Sequence, residues 1–183
     1  GMKHPVEDFL WTYYSHRPAQ LRRWHPGPGV ELAGDTERAD SRHYVATGRG
    51  TTLDVDAHLA DRGDTVRFVR DLLASTLGRP AQLSCFGLHE WAMVYRSGGF
   101  RHEAWPLRLG VGGTDAVVEA HSLRCTHFDA FRFFTPDAVG RNAGRPTRDS
   151  QVALEQPGCL HAGMDCYKWA YKLGAGVPGV LLL

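Results

Sequence analysis

Between Asp64 and Pro80 the side chains Val66, Val69, Leu73 and Leu77 return every three or four positions, the period of one face of an α-helix. Asp64 stands where an N-cap belongs, and Gly78 with Pro80 closes the run. A chain with such a stripe must bury it, so a helical framework around a core is the starting constraint. The composition permits one: 43% of the residues are hydrophobic and 22% charged, unlike a disordered chain. At 183 residues, a single domain spanning 1–183 is the expected organisation.

Further helices are predicted over Val55–Ala60, stopped at Gly63; over Leu88–Tyr95; and over Asp115–His121, capped by Thr114 after a glycine turn at Gly110–Gly113. Thr147 or Ser150 opens a short helix that Pro157 terminates, and a last helix covers Leu160–Leu173, ended by Gly174. Pro5–Tyr14 reads as helix, continued over Arg17–Trp24 after a break at Pro18. Residues 30–52 are polar and dotted with glycine. Short strands are expected there around Val30–Leu32 and His43–Ala46, in what should be the most mobile region. Leu123–Phe134 alternates like a strand, with Leu123, Cys125, His127, Asp129, Phe131 and Phe133 on one face. The expected fold class is therefore α+β, helix-rich, with a small sheet that includes a strand near 123–134.

Charge and cysteine usage narrow the function classes. A net charge of +1 argues against a strong nucleic-acid binder. Of 21 basic residues only three are lysine, and arginine suits planar or phosphate-bearing ligands, although a GC-rich coding sequence explains the bias as well. Cys85, Cys125, Cys159 and Cys166 form no Cys-x-x-Cys pair, which argues against a structural zinc knot or a thioredoxin-type motif. Acidic residues near the start, where a signal would need an apolar run, predict a cytoplasmic protein with reduced thiols. The longest uncharged apolar stretch, Val177–Leu183, is far below the roughly 20 residues that span a bilayer, so no membrane partner is expected.

Several residues have the chemistry of a site. On an extended segment, His127 and Asp129 share a face about 7 Å apart. They can flank a substrate as base and acid, or converge on a divalent iron, zinc or manganese ion with His161 as third ligand and His89 as a fourth. A buried His–Asp pair bracing the core explains the same residues. His161, Asp165, Lys168 and Lys172 share one stripe of the last helix, which reads as a solvated polar face, with Tyr167, Trp169 and Tyr171 as core. His89-Glu90 resembles the start of a zinc-protease helix, but position 93 is Met93 where the second histidine belongs. Glu90 beside Trp91 can serve as a general acid or base from an apolar pocket, or simply end a helix in water. Arg17, Arg22 and Arg23 with Trp24 and His25 can hold phosphates or solvate a helix.

Five strings carry a resemblance: His4–Leu10, Arg17–Gly27, Cys85–Arg96, Arg124–Pro136 and Gln156–Leu173. They are similar to a set of bacterial, mainly actinobacterial, proteins carried under the name 3-methyladenine DNA glycosylase. The resemblance implies DNA repair by hydrolytic excision of a methylated base, with DNA as partner and no cofactor. The base would be flipped into a pocket, and a cationic purine would stack on Trp91, Tyr95 or Trp169. Asp129 or Glu90, with His127 nearby, would stabilise the oxocarbenium-like sugar or activate water, and Arg22 and Arg23 would hold the backbone. Members of the set run on further at both ends, so the chain is expected to be part of a longer protein. Three readings enter the structure: a base-excision glycosylase, a metal-dependent enzyme acting on a small molecule, and a binding domain without catalysis.

Overall fold

The computed structural model describes His4, Asp8, Trp11 and residues 13–35, 37–99 and 106–182. The chain divides into two compact units: Gly1–Val69 with Asp165–Leu183, and Arg70–Met164. The helix-rich α+β class is as expected, with a sheet of three short strands. Among the described residues no helix is long and apolar enough to cross a membrane. The helix expected over Pro5–Tyr14 falls largely outside the described residues.

In the first unit the sheet occupies the region expected to be mobile. Strands β1 (Glu31–Ala33), β2 (Tyr44–Ala46) and β3 (Gly50–Leu53) lie in the order β1-β3-β2, both pairings antiparallel. Glu31 faces Thr52, and Tyr44 faces Leu53. Thr51, fully buried, donates its hydroxyl to the Asp35 carbonyl. Asp54 then caps the following helix by accepting the Ala57 N–H at 2.9 Å.

That helix runs unbroken over Val55–Leu77, so the expected stop at Gly63 and restart at Asp64 do not occur. An interior glycine costs about 1 kcal/mol. Burial of Val69 and Leu72 along the same face outweighs it. Asp64 instead pairs with Arg67 one turn on.

The remainder of the first unit is aromatic. Tyr14 meets the rings of Tyr167 and Tyr171 at 5.0 and 6.0 Å, and Phe68 packs edge-on against Trp169 at 5.6 Å. The last helix spans Leu160–Leu173 as predicted and stops where Gly174 takes the left-handed conformation (φ 54°). Beyond it, the Gly179 N–H donates to the His25 carbonyl at 2.7 Å.

Three imidazoles of this unit, His16, His25 and His58, are held below the ordinary histidine range, in each case chiefly by burial. His43 and Arg62 push His58 further down against the opposing pull of Asp61. A base whose pKa is depressed by folding contributes stability above its unfolded pKa and loses it as pH falls toward the folded one. Urea midpoints should accordingly fall between about pH 7 and pH 5, with a shallower slope in His58→Leu. A slope unchanged in that variant would remove His58 from the effect.

The second unit has its own core: Leu88, Ala92, Tyr95, Val118, Leu123, Cys125, Ala130, Phe134 and Ala138. The helices Leu88–Ala92 and Gly110–Ala120 supply two of its walls. The second begins at Gly110, five residues earlier than predicted, and Thr114 bonds back to the Gly110 carbonyl from inside it instead of capping. A short helix covers Gln151–Leu154, close to expectation.

The strand expected at 123–134 is not formed. Leu123 makes one isolated bridge to Asn142, and Phe128–Phe131 is a helical turn with His127 as its N-cap. The run Phe128, Phe131, Phe134 fits a period of three as well as the alternation fits two, and a short apolar run does not choose between them. The buried Asn142 amide stands in for a partner strand. Its Oδ1 accepts the Cys125 N–H (2.8 Å) and its Nδ2 donates to the Cys125 carbonyl (3.0 Å) and the Gly144 carbonyl (2.7 Å). Asn142→Ala leaves those buried groups unpaired and should cost about 3 kcal/mol. Chemical denaturation measures this, and a loss under about 1 kcal/mol would show that other groups replace the amide.

Candidate metal centre

Residues from three segments of the second unit meet in one cluster. The first segment is Cys85–Glu90, a turn leading into the helix Leu88–Ala92. Gly87 enters it in the left-handed conformation (φ 73°), which brings Cys85 back over the first helical turn. The Cys85 thiol lies 3.0 Å from His89 Nδ1. On the other side of the ring, His89 Nε2 lies 3.5 Å from Glu90 Oε1.

The second segment is the start of the last helix. His161 Nε2 stands 3.6 Å from the same Glu90 Oε1, and its ring meets that of His89 at 4.4 Å, edge to face. His89 and His161 are buried, whereas the Glu90 side chain is 63% exposed. The cluster therefore opens to solvent at its carboxylate.

His127, from the third segment, stacks behind His161 with ring centroids 5.4 Å apart. Its Nδ1 accepts the Ala130 N–H (3.2 Å) and its Nε2 faces Glu155 Oε1 (3.4 Å), both residues being buried. Glu155 also accepts from Gln151 Nε2 at 2.6 Å. A backbone N–H only donates, so the neutral ring carries its proton on Nε2. Binding a cation through Nε2 would move that proton to Nδ1, against the Ala130 N–H. His127 is thus set to brace His161 and not to ligate.

The opposite holds for His89. Ligand atoms about 2.1 Å from a tetrahedral ion stand about 3.4 Å apart, close to the 3.5 and 3.6 Å separations from the Glu90 oxygen. The three ligand atoms all lie within 4.8 Å of one another. With Nε2 on a cation, His89 Nδ1–H would donate to the Cys85 sulfur, in the place where metal-bound histidines usually have a carboxylate, carbonyl or water. Without a cation the site attracts protons. Burial alone would lower His89, but Cys85 and Glu90 outweigh it and raise the imidazole to about 9. Burial would likewise raise Cys85, but His89 prevails and lowers it, while burial pushes Cys125 up to about 12 and raises Cys159.

The structure therefore joins some of the expected residues and separates others. His161 and Glu90 meet, with His89 promoted from an accessory position to a principal one. Asp129 does not join them: it occupies the first turn of Phe128–Phe131 and pairs with Arg132 at 3.3 Å. Only an extended strand would set it on the same face as His127, and the segment is a helical turn. Tyr95 is no open stacking surface but core, donating its hydroxyl to Glu119 at 3.0 Å. Trp91 is half-buried against the same core. Trp169, Arg22 and Arg23 belong to the first unit; Trp169 is buried beneath the ammonium groups of Lys168 and Lys172, and both arginines are exposed. Cys85 and Glu155 were not anticipated. The spacing of Cys85 and His89, one helical turn apart, was the available signal for the first.

No family model, curated protein or solved structure matches the chain.

Proposed function

We propose that the second unit is a hydrolytic enzyme whose His89 Nε2, His161 Nε2 and Glu90 carboxylate hold a divalent metal ion, zinc by geometry, and which acts on a small molecule. The convergence of both imidazoles on one oxygen of Glu90, a largely exposed side chain, is the observation that carries this reading. Three protein ligands leave a fourth position for water, and zinc lowers the pKa of that water to near 7. Cys85 and His127 orient the two imidazoles from behind. Dialysis against zinc should leave stoichiometric metal in the protein. Cobalt in its place should show the intense visible bands of a tetrahedral ion, and hydrolysis of small esters, amides or phosphoesters should stop with chelator and return with zinc. Protein that retains no metal and shows no cobalt bands would end the proposal.

A second reading, excision of a methylated base from DNA, is favoured by one observation. Three of the strings that resemble the glycosylases, Cys85–Arg96, Arg124–Pro136 and Gln156–Leu173, supply His89, Glu90, His127 and His161. In that reading Glu90 is the carboxylate facing the sugar. It predicts release of 3-methyladenine from methylated duplex DNA that survives chelator and is lost in Glu90→Gln.

A further inference from the structure

The second unit also holds a cleft of about 600 Å³ that none of the cluster residues lines. It forms where the helix Gly110–Ala120 ends. His121 leaves that helix with an extended backbone (φ −126°, ψ 155°). Leu123 then bridges Asn142 in parallel, and the Ala143 N–H donates to the Leu123 carbonyl at 2.9 Å. Leu123 and Asn142 are both buried. In extended chain the neighbours of an inward residue point the other way. Ser122 and Arg124 on one segment, with Arg141 and Ala143 on the other, therefore face outward together, and all four line the cleft.

The ionisable side chains of the lining are Glu119, His121, Arg124 and Arg141. The carboxylate is already engaged: Glu119 Oε1 accepts from Arg96 Nη2 at 2.7 Å and from the Tyr95 hydroxyl at 3.0 Å. Arg141 Nη2 donates to the Val118 and Glu119 carbonyls (3.4 and 3.2 Å), which covers the negative end of the helix. The same guanidinium stands over the Tyr95 ring at 5.5 Å. Both carbonyl bonds use one nitrogen, so the Nε and Nη1 donors of Arg141 remain. Arg124 has no hydrogen bond or ion pair among the described residues. His121 Nδ1 lies 2.7 Å from the Val117 carbonyl, which only accepts, so Nδ1 carries the proton and Nε2 is left over. The lining thus presents two arginine charges and no carboxylate of its own to balance them.

We propose that this cleft binds a small organic molecule through an oxyanion group, a phosphate or a carboxylate. The inference stands apart from the metal reading and uses none of its residues. Arg141, fixed by the helix end and by Tyr95, is a preorganised fork for two oxygens, and Arg124 meets the anion from the neighbouring segment. His121 Nε2 accepts the proton of a phosphate hydroxyl or, once protonated, donates to a bare oxygen. A cation would meet both arginines. The volume lies within the range of about 300–1,000 Å³ usual for small-molecule sites, more than a bare ion fills.

Glycerol 3-phosphate, glycerate and glycerol test this on the full chain, since they share a three-carbon body and differ in the anion. At least one of the two anions should shift the Ser122 and Gly140 amide resonances saturably, with a Kd below about 1 mM. Glycerol should shift neither. The tighter of the two anions decides between phosphate and carboxylate. Arg124→Gln should weaken binding at least about tenfold and leave the urea midpoint unchanged, because nothing in the fold holds that side chain. His89→Ala should bind the anion as the parent does, which separates the cleft from an anion seated on a metal. No saturation by either anion at about 10 mM, equal shifts with glycerol, or parent-like affinity in Arg124→Gln would overturn the proposal. Binding lost in His89→Ala would place the anion on the metal instead. Shifts of the same amides with duplex DNA alone would make this face a backbone contact and equally overturn the small-molecule site.

Discussion

Cobalt affinity should fall by on the order of a thousandfold in His161→Ala, and by a comparable factor in His89→Ala. Loss of an outer partner of a metal ligand costs 10–100-fold, and removal of a ligand atom itself costs more. Glu90→Gln should weaken binding less than either, because the amide oxygen remains a poor ligand. The informative contrast is His127→Ala, which should bind cobalt within roughly tenfold of the parent. His127 faces Glu155 and caps a helical turn, so its loss should appear as about 1–3 kcal/mol of stability instead. Asp129→Asn should leave cobalt affinity unchanged within error. Isothermal titration with cobalt, followed in the visible spectrum, measures all of these. Equal losses in His161→Ala and His127→Ala would place the ion elsewhere, nearer the ligand set that the sequence alone suggested.

Gly50→Ala should destabilise the first unit by about 3 kcal/mol or more. Gly50 opens β3 opposite Ala33 of β1. A Cβ there would fall 1.9 Å from the Leu32 carbonyl oxygen and 2.8 Å from its carbon. Both atoms are backbone, so no rotamer change makes room, and β1 would have to leave β3. Gly48, in the neighbouring turn, has open space at the same position. Its alanine variant should stay within about 0.5 kcal/mol. Hydrogen exchange of the β3 amides separates the two: rapid exchange in Gly50→Ala only. Parent-like protection in Gly50→Ala would mean that the strands close with a shifted register.

Much of the helical framework was legible, and for local reasons. Leu160–Leu173 carries its own stop in Gly174, and the stripe of Val66, Val69, Leu73 and Leu77 does lie in a helix, Val55–Leu77, but of the four only Val69 is buried, beside Leu72, while Leu73 and Leu77 are exposed. Boundaries were less so. Gly63 reads as a stop because a lone glycine is costly in an isolated helix, but the cost is small beside the burial that the rest of the fold supplies. The alternation in Leu123–Phe134 was a real pattern with no strand to pair with, and a side-chain amide 17 residues away satisfied the backbone in its place.

The same division holds for the candidate site. His89, Glu90, His127 and His161 were each visible as side chains with chemistry, and so was their distribution over separate segments. What pairs with what was invisible. His89-Glu90 looked like an incomplete motif because the completing histidine was sought one turn along, at Met93. It stands instead at the head of a different helix, 3.6 Å from the Glu90 oxygen. Which imidazole is free to ligate a metal in the proposed site and which is held back depends on a single backbone N–H at Ala130, whose position follows from a turn that the alternation had concealed. Local periodicity and capping are written in neighbouring residues, and so the chain alone specified its helices and their stops. Convergence of side chains many residues apart, and the proton each ring can then hold, depends on packing, and only the folded arrangement decided it.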